Sequence, residues 1–126
     1  MMSENELSKI IVNTSFEIHK TLGPGLLESI YEDILSYELR QQGLVVSRQQ
    51  SLPVFWKGRK MDQGFRADLI VENKVLIEIK SVEALTPVFY KQVLTYLKIT
   101  EMKLGLLINF NDPLLKGGIR RIVNGL

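Results

Sequence analysis

Two carboxylates and an ammonium group in mid-chain are the residues best placed to do chemistry. They are Asp68, in Gly64-Phe65-Arg66-Ala67-Asp68-Leu69-Ile70, and Glu78 and Lys80, in Glu78-Ile79-Lys80. Side chains alternate along a strand, so Glu78 and Lys80 share a face while Ile77 and Ile79 point the other way. On the preceding strand Ala67, Leu69 and Val71 form one set, and Asp68 belongs to the other. Burying that apolar set with Val75, Ile77 and Ile79 requires a hairpin loop of odd length. A loop of Glu72-Asn73-Lys74 puts Val71 opposite Val75 and Asp68 opposite Glu78, at a Cβ separation of about 5 Å. A loop one residue shorter would split both the apolar face and the polar cluster. Carboxylates this close repel, and each is driven toward its protonated form unless a cation sits between them. A divalent ion answers that need, taking one or two carboxylates, waters and a phosphate into its shell. Such an ion acidifies bound water and offsets charge on a phosphate under attack. Lys80 could orient or deprotonate the water, or offset phosphate charge. Glu-x-Lys alone is common, and the same residues could form a salt-bridged, solvated sheet face. Ile70 and Leu76 lie on that side and argue against full solvation, since charges flanked by apolar neighbours need partners or a metal.

The composition narrows the alternatives. At 126 residues, 45% hydrophobic and 24% charged, the chain reads as one globular domain spanning residues 1–126. It has no cysteine, which excludes disulfides, thiolate nucleophiles and Cys-ligated zinc. Its one histidine, His19, excludes a His-rich zinc site, disfavours a serine–histidine triad, and reads as a helix-end residue bonding exposed carbonyls. Any metal must then be held by oxygens, which suits Mg²⁺, Mn²⁺ or Ca²⁺. The acidic, polar start differs from a signal peptide. No apolar run approaches the roughly 20 residues that span a bilayer. The expectation is a cytoplasmic protein without membrane contact. A net charge of +2 means that nucleic-acid binding would need a local basic surface.

The elements that must position these residues follow from periodicity and punctuation. Ser3 and Glu6 form a capping box ahead of Leu7, Ile10, Ile11, Thr14 and Ile18, predicting a helix to about Lys20. Gly23-Pro24-Gly25 ends it and starts a second helix over 25–42, with Pro24 at a first helical position and Gly43 as the stop. Leu44 to Gln50 and Leu52 to Trp56 read as one extended region bent near Ser51 and Pro53, with a turn over 57–60. Phe65–Val71 and Val75–Ser81 make the hairpin. A third helix over 87–99 crosses to an apolar strand over 104–109, and a last short helix holds Ile119, Ile122 and Val123. The order α-α-β-β-β-α-β-α predicts the α/β (α+β) class: a mixed sheet flanked by helices.

Asp followed across a hairpin by Glu-x-Lys resembles the signature of the PD-(D/E)xK nuclease superfamily. Upstream, Gly25-Leu26-Leu27-Glu28-Ser29-Ile30-Tyr31, followed by Glu32, resembles the motif naming the GxxExxY protein family, a branch of that superfamily. Downstream, Gln92-Val93-Leu94-Thr95-Tyr96 resembles the Gln-x-x-x-Tyr element of exonuclease domains in bacterial recombination helicase–nucleases. The likeness runs from about His19 to past Asn109, and several motifs in order are far more specific than any one. It implies a restriction-endonuclease-like core in which Asp68 and Glu78 bind metal, Glu28 helps hold the metal or its water, and Lys80 is the catalytic lysine. Gln92 and Tyr96 match the pair that supports the site and contacts substrate. Ala67 stands where the superfamily's name has proline, a position where proline is often missing. Without the resemblance, Glu28 reads as a first-turn acid at a helix N-terminus, and Tyr31 and Tyr96 as packing.

The reading that unites these features is a phosphodiesterase using Mg²⁺, or Mn²⁺, to hydrolyse nucleic acid, DNA in preference to RNA. Asp68, Glu78, Lys80 and Glu28 do the chemistry, while Gln92, Tyr96 and Arg66 touch the nucleic acid. Lys57, Arg59, Lys60, Lys91, Lys98, Lys116, Arg120 and Arg121 could add phosphate contacts, though scattered basic residues usually just solubilise. Phe55 and Trp56 are expected to be buried on the sheet rather than free to stack on a base. So small a core invites a homodimer or protein partner to choose its substrate. The alternatives are a non-catalytic nucleic-acid-binding or protein-interaction module with the same fold, and a regulatory dimer built on the Leu-rich second helix.

Overall fold

The computed structural model describes residues 1–126. Helix α1 (Glu4–Leu22) starts at the capping box, where Glu6 N–H donates to Ser3 Oγ at 3.1 Å and Ser3 N–H to Glu6 Oε1 at 3.2 Å. Helix α2 (Glu28–Gln41) begins later than the Gly-Pro-Gly turn suggests. Gly25 has φ +105°, outside the helical region, so Pro24 belongs to the connection and Leu27 takes the cap position. Leu35 and Leu39 are fully buried in the chain's own core, while Leu27 and Ile30 at the start of the stripe are exposed.

The main sheet contains β1 (Val46–Leu52), β4 (Phe65–Val71), β5 (Val75–Lys80), β6 (Leu104–Asn109) and β7 (Ile119–Val123), in that spatial order. Only the β5–β6 pair is parallel, and helix α3 (Pro87–Thr100) makes the crossover between those two strands. α1 and α2 cover one face, with a core of 18 buried residues that includes Leu7, Ile11, Tyr31, Leu69, Val71, Ile77 and Phe110. α3 covers the other, its Val93 and Leu97 packing with Ile70, Leu76 and Leu107 of the sheet. Gly105 lets α3 approach closely: a Cβ there would lie 2.6 Å from Val93 Cγ1.

Two expectations fail near the chain's turns. Ile119, Ile122 and Val123 form strand β7, which pairs with the otherwise open edge of β6, after a short 3₁₀ turn over Leu115–Gly118. Their spacing fits a helix, but an unpaired edge and β-branched side chains outweigh it. The extended region also breaks in two. β1 stops at Leu52, and β2 (Phe55–Trp56) turns at Lys57-Gly58 into β3 (Arg59–Lys60), a separate two-stranded hairpin. Lys57 and Gly58 both have positive φ, the conformation that a tight two-residue hairpin turn requires.

Candidate active site

The β4–β5 hairpin adopts the register that burial demands, with Val71 opposite Val75, Ile70 opposite Leu76 and Leu69 opposite Ile77. Glu72 and Asn73 accommodate the loop with φ near +53° and +54°. Regular pairing stops at Leu69, and side chains take over. Asp68 Oδ2 accepts the Ile79 N–H at 2.8 Å, a donor that a continued ladder would give to a β4 carbonyl. Glu78 Oε1 accepts the Asp68 N–H at 3.3 Å. Each carboxylate is thus bonded to the other's strand.

The same point breaks the alternation. Pairing between β1 and β4 skips Gln49, whose φ is +49°, and resumes at Gln50 opposite Ala67. Ala67 was expected to bury with Leu69 and Val71; it packs instead with Ile70 and Leu76 under α3. Phe65 likewise stacks on Tyr96 of α3, with ring centroids 4.0 Å apart. The irregular backbone at Gln49 and Asp68 shifts the face that the first half of β4 presents.

Glu78 is buried and Asp68 half-buried. Burial, and next the charge on Asp68, push the Glu78 carboxyl up to about 8, against the smaller opposing effects of the Asp68 N–H and Lys80. Lys80 forms no ion pair: the ion pairs present join Arg48 to Glu32 and Asp33. Its Nζ lies 4.7 Å from the Phe89 ring centroid, on the α3 side. The salt-bridged surface is therefore not what the hairpin forms. Tyr96 shares this neighbourhood, since burial first, then the charges of Glu78 and Asp68, raise its phenol, while a hydrogen bond with Gln92 lowers it. Gln92 and Tyr96 thus stand together on α3 beside the acidic pair.

Glu28 and Arg66 lie further out. Glu28 opens α2, is exposed, and makes no hydrogen bond to either acid; no three of the Asp, Glu and His side chains converge as a ready-made metal cage. The segment leading into Glu28 is nevertheless tied to the end of β5. Tyr31 Oη donates to Gly23 O at 2.6 Å and accepts from Leu26 N–H at 3.2 Å, and Ser81 Oγ donates to Leu26 O at 2.6 Å. Tyr31 also stacks on Phe110, with centroids 4.5 Å apart. Arg66 is exposed and lines a cleft with Lys60, Met61 and Gln63. His19 does bond a carbonyl, at 2.8 Å, but that of Asp112 rather than of its own helix.

Some supporting residues escape a reading by motif. Glu32, almost fully buried, pairs with Arg48 at 3.1 Å and accepts from Gln49 Nε2 at 2.7 Å, and the same Gln49 amide reaches Asp68 Oδ1 at 3.1 Å. The signal was present, because an acid at position 32 falls on the buried α2 stripe of Tyr31, Leu35 and Leu39 and demands a partner. Asn109, fully buried, holds both backbone groups of Val82 at 3.0 Å, fixing the chain just past Lys80.

As donors, Asp68 and Glu78 fit a hard divalent cation. They are all-oxygen, adjacent, and include a buried carboxyl that forms no ion pair.

The mixed sheet, its flanking helices and the acidic hairpin define a restriction-endonuclease-like core. The sequence matches the family model of the PD-(D/E)XK nuclease superfamily over residues 5–122, and the protein belongs to that superfamily. It is similar in fold to a solved structure described as "Crystal structure of SSO0001", with a TM-score of 0.50 and 18% identity, covering 95% of this chain and 79% of that one. At that identity the likeness is one of fold alone. No curated protein matches the sequence.

Proposed function

We propose that the protein is a Mg²⁺- or Mn²⁺-dependent nuclease that hydrolyses phosphodiester bonds, in DNA in preference to RNA. The observation that carries this reading is the crossed bonding of Asp68 and Glu78, which holds two acids together where regular pairing ends. Asp68 and Glu78 would hold the cation. When bound, the ion supplies acidified water and offsets phosphate charge. Glu28, exposed two residues past Leu26, whose carbonyl accepts from Ser81 Oγ, would bond a water of the cation rather than the cation itself. Lys80 Nζ, free of any carboxylate, is available to orient the attacking water or to neutralise a phosphate oxygen. Gln92 and Tyr96 offer an amide and a phenol to the substrate from α3. The likeness of that pair to elements of recombination nucleases favours DNA.

Cleavage of single- and double-stranded DNA and of RNA with Mg²⁺ or Mn²⁺ tests the proposal. Wild type should cut at least one of these. Asp68→Asn and Lys80→Ala should lower the rate at least a hundredfold while leaving the circular dichroism spectrum unchanged. A purified wild type that cuts none of them defeats the enzymatic reading.

One observation favours a non-catalytic binding module instead: Lys80 rests over Phe89 and forms an ion pair with neither acid. That reading expects nucleic-acid affinity indifferent to Asp68→Asn and no calorimetric uptake of Mn²⁺.

A further inference from the structure

On the β2–β3 hairpin, exposed aromatic rings stand beside cations that form no ion pair, although Asp62 lies in the same cleft. Phe55 and Trp56 were expected to be buried; they are 59% and 65% exposed. The register pairs Phe55 with Lys60 and Trp56 with Arg59. Neighbours along a strand point to opposite faces and cross-strand partners to the same one, so each ribbon face carries one ring next to one cation. Lys57 adds a third positive group, its Nζ 5.9 Å from the Trp56 ring centroid. Lys57, Arg59, Lys60 and Arg66 all lack a carboxylate partner.

The hairpin is rooted at the start of β4, the strand that carries Asp68. Met61 N–H donates to Val54 O at 2.9 Å, and Gly64 packs so closely that a Cβ would lie 2.0 Å from Leu52 O. Phe65 begins β4 directly after this root, and Asp68 follows about 10 Å along the strand.

We propose that this hairpin grips unpaired nucleotides. Trp56 and Phe55 stack on exposed bases, Lys57, Arg59 and Lys60 take the flanking phosphates, and Arg66 guides the strand from the root toward Asp68 and Glu78. Ring stacking tolerates any base because every base has a π-face, while cations track the backbone. A duplex hides those faces within its stack, so the ring–cation pairing favours a single strand. The delivery of the strand to the acids rests on the proposed nuclease reading; the gripping does not.

Trp56 is the sole tryptophan, so its emission reports directly on the hairpin. Titrating the protein in EDTA with oligo(dT), and with a duplex of equal length, reads binding without cleavage. Oligo(dT) should quench the emission and the duplex should quench it far less. Trp56→Ala should weaken oligo(dT) binding, followed by anisotropy of a labelled strand, about tenfold. Lys57→Ala with Arg59→Ala should flatten the salt dependence by roughly one unit of log–log slope. Unchanged emission at saturating oligo(dT), or Trp56→Ala binding as wild type, overturns the proposal. A dimer in sedimentation that Trp56→Ala converts to monomer also overturns it, assigning the hairpin to a contact between copies. Binding through Trp56 in EDTA, with no cleavage once Mg²⁺ or Mn²⁺ is supplied, would sink the nuclease reading and spare the grip. Cleavage with a silent Trp56 would do the reverse.

Discussion

Asp68 Oδ2 takes the Ile79 N–H and Asp68 Oδ1 the Gln49 amide, whereas Glu78 uses only Oε1, and does so in a buried setting. That asymmetry has a consequence for stability. The folded chain holds the Glu78 proton up to about 8, while an unfolded chain releases it near 4.5. Folding therefore keeps its full contribution below pH 4.5 and loses stability as the pH rises toward 8, by an amount on the order of a few kcal/mol. Glu78→Gln retains the shape and the acceptor but has no proton to lose. In metal-free buffer its melting temperature should match wild type near pH 4.5 and exceed it by several degrees at pH 8. Added Mn²⁺ should narrow the gap at pH 8. A difference that is constant across pH would refute the link between Glu78 burial and its charge. At this scale alternation in the sequence placed Glu78 opposite in face to Ile77 and Ile79, but it misled for Ala67, where the pairing turns irregular beside Asp68. It was silent on Gln49, whose role depends on a φ of +49° and on an acid in another element.

Among the elements, α3 carries Gln92 and Tyr96, and the charges of Glu78 and Asp68 reach the Tyr96 phenol. The approach of this helix depends on Gly105, where a Cβ would lie 2.6 Å from Val93 Cγ1. Gly105→Ala should cost about 1–3 kcal/mol in chemical denaturation through overpacking, and nuclease activity should fall as α3 shifts. Val93→Ala should restore much of both in the double variant, since the clash involves that side chain. If the double variant is no better than the sum of the singles, the contact is not what limits the approach. The β4–β5 loop, α3 and the almost wholly apolar β6 were legible because local pattern and tertiary demand agree there. Strand β7 was not. Ile119, Ile122 and Val123 are spaced for a helix, and only the open edge of β6 reveals why they extend. The β2–β3 hairpin was hidden by Pro53 and by a turn shorter than the stretch read as one.

For the molecule as a whole, the layers and the helical crossover followed from element order, but the burial of individual side chains did not. Phe55 and Trp56 look like sheet residues in the sequence, and the fold leaves both in water. Because no other tryptophan exists, the indole signal comes from a ring already hydrated in the native state. A urea titration followed by indole emission should show little wavelength shift, while far-ultraviolet ellipticity passes through a cooperative transition. Optical assays of this protein would then divide the labour: emission watches the finger, and ellipticity watches the body.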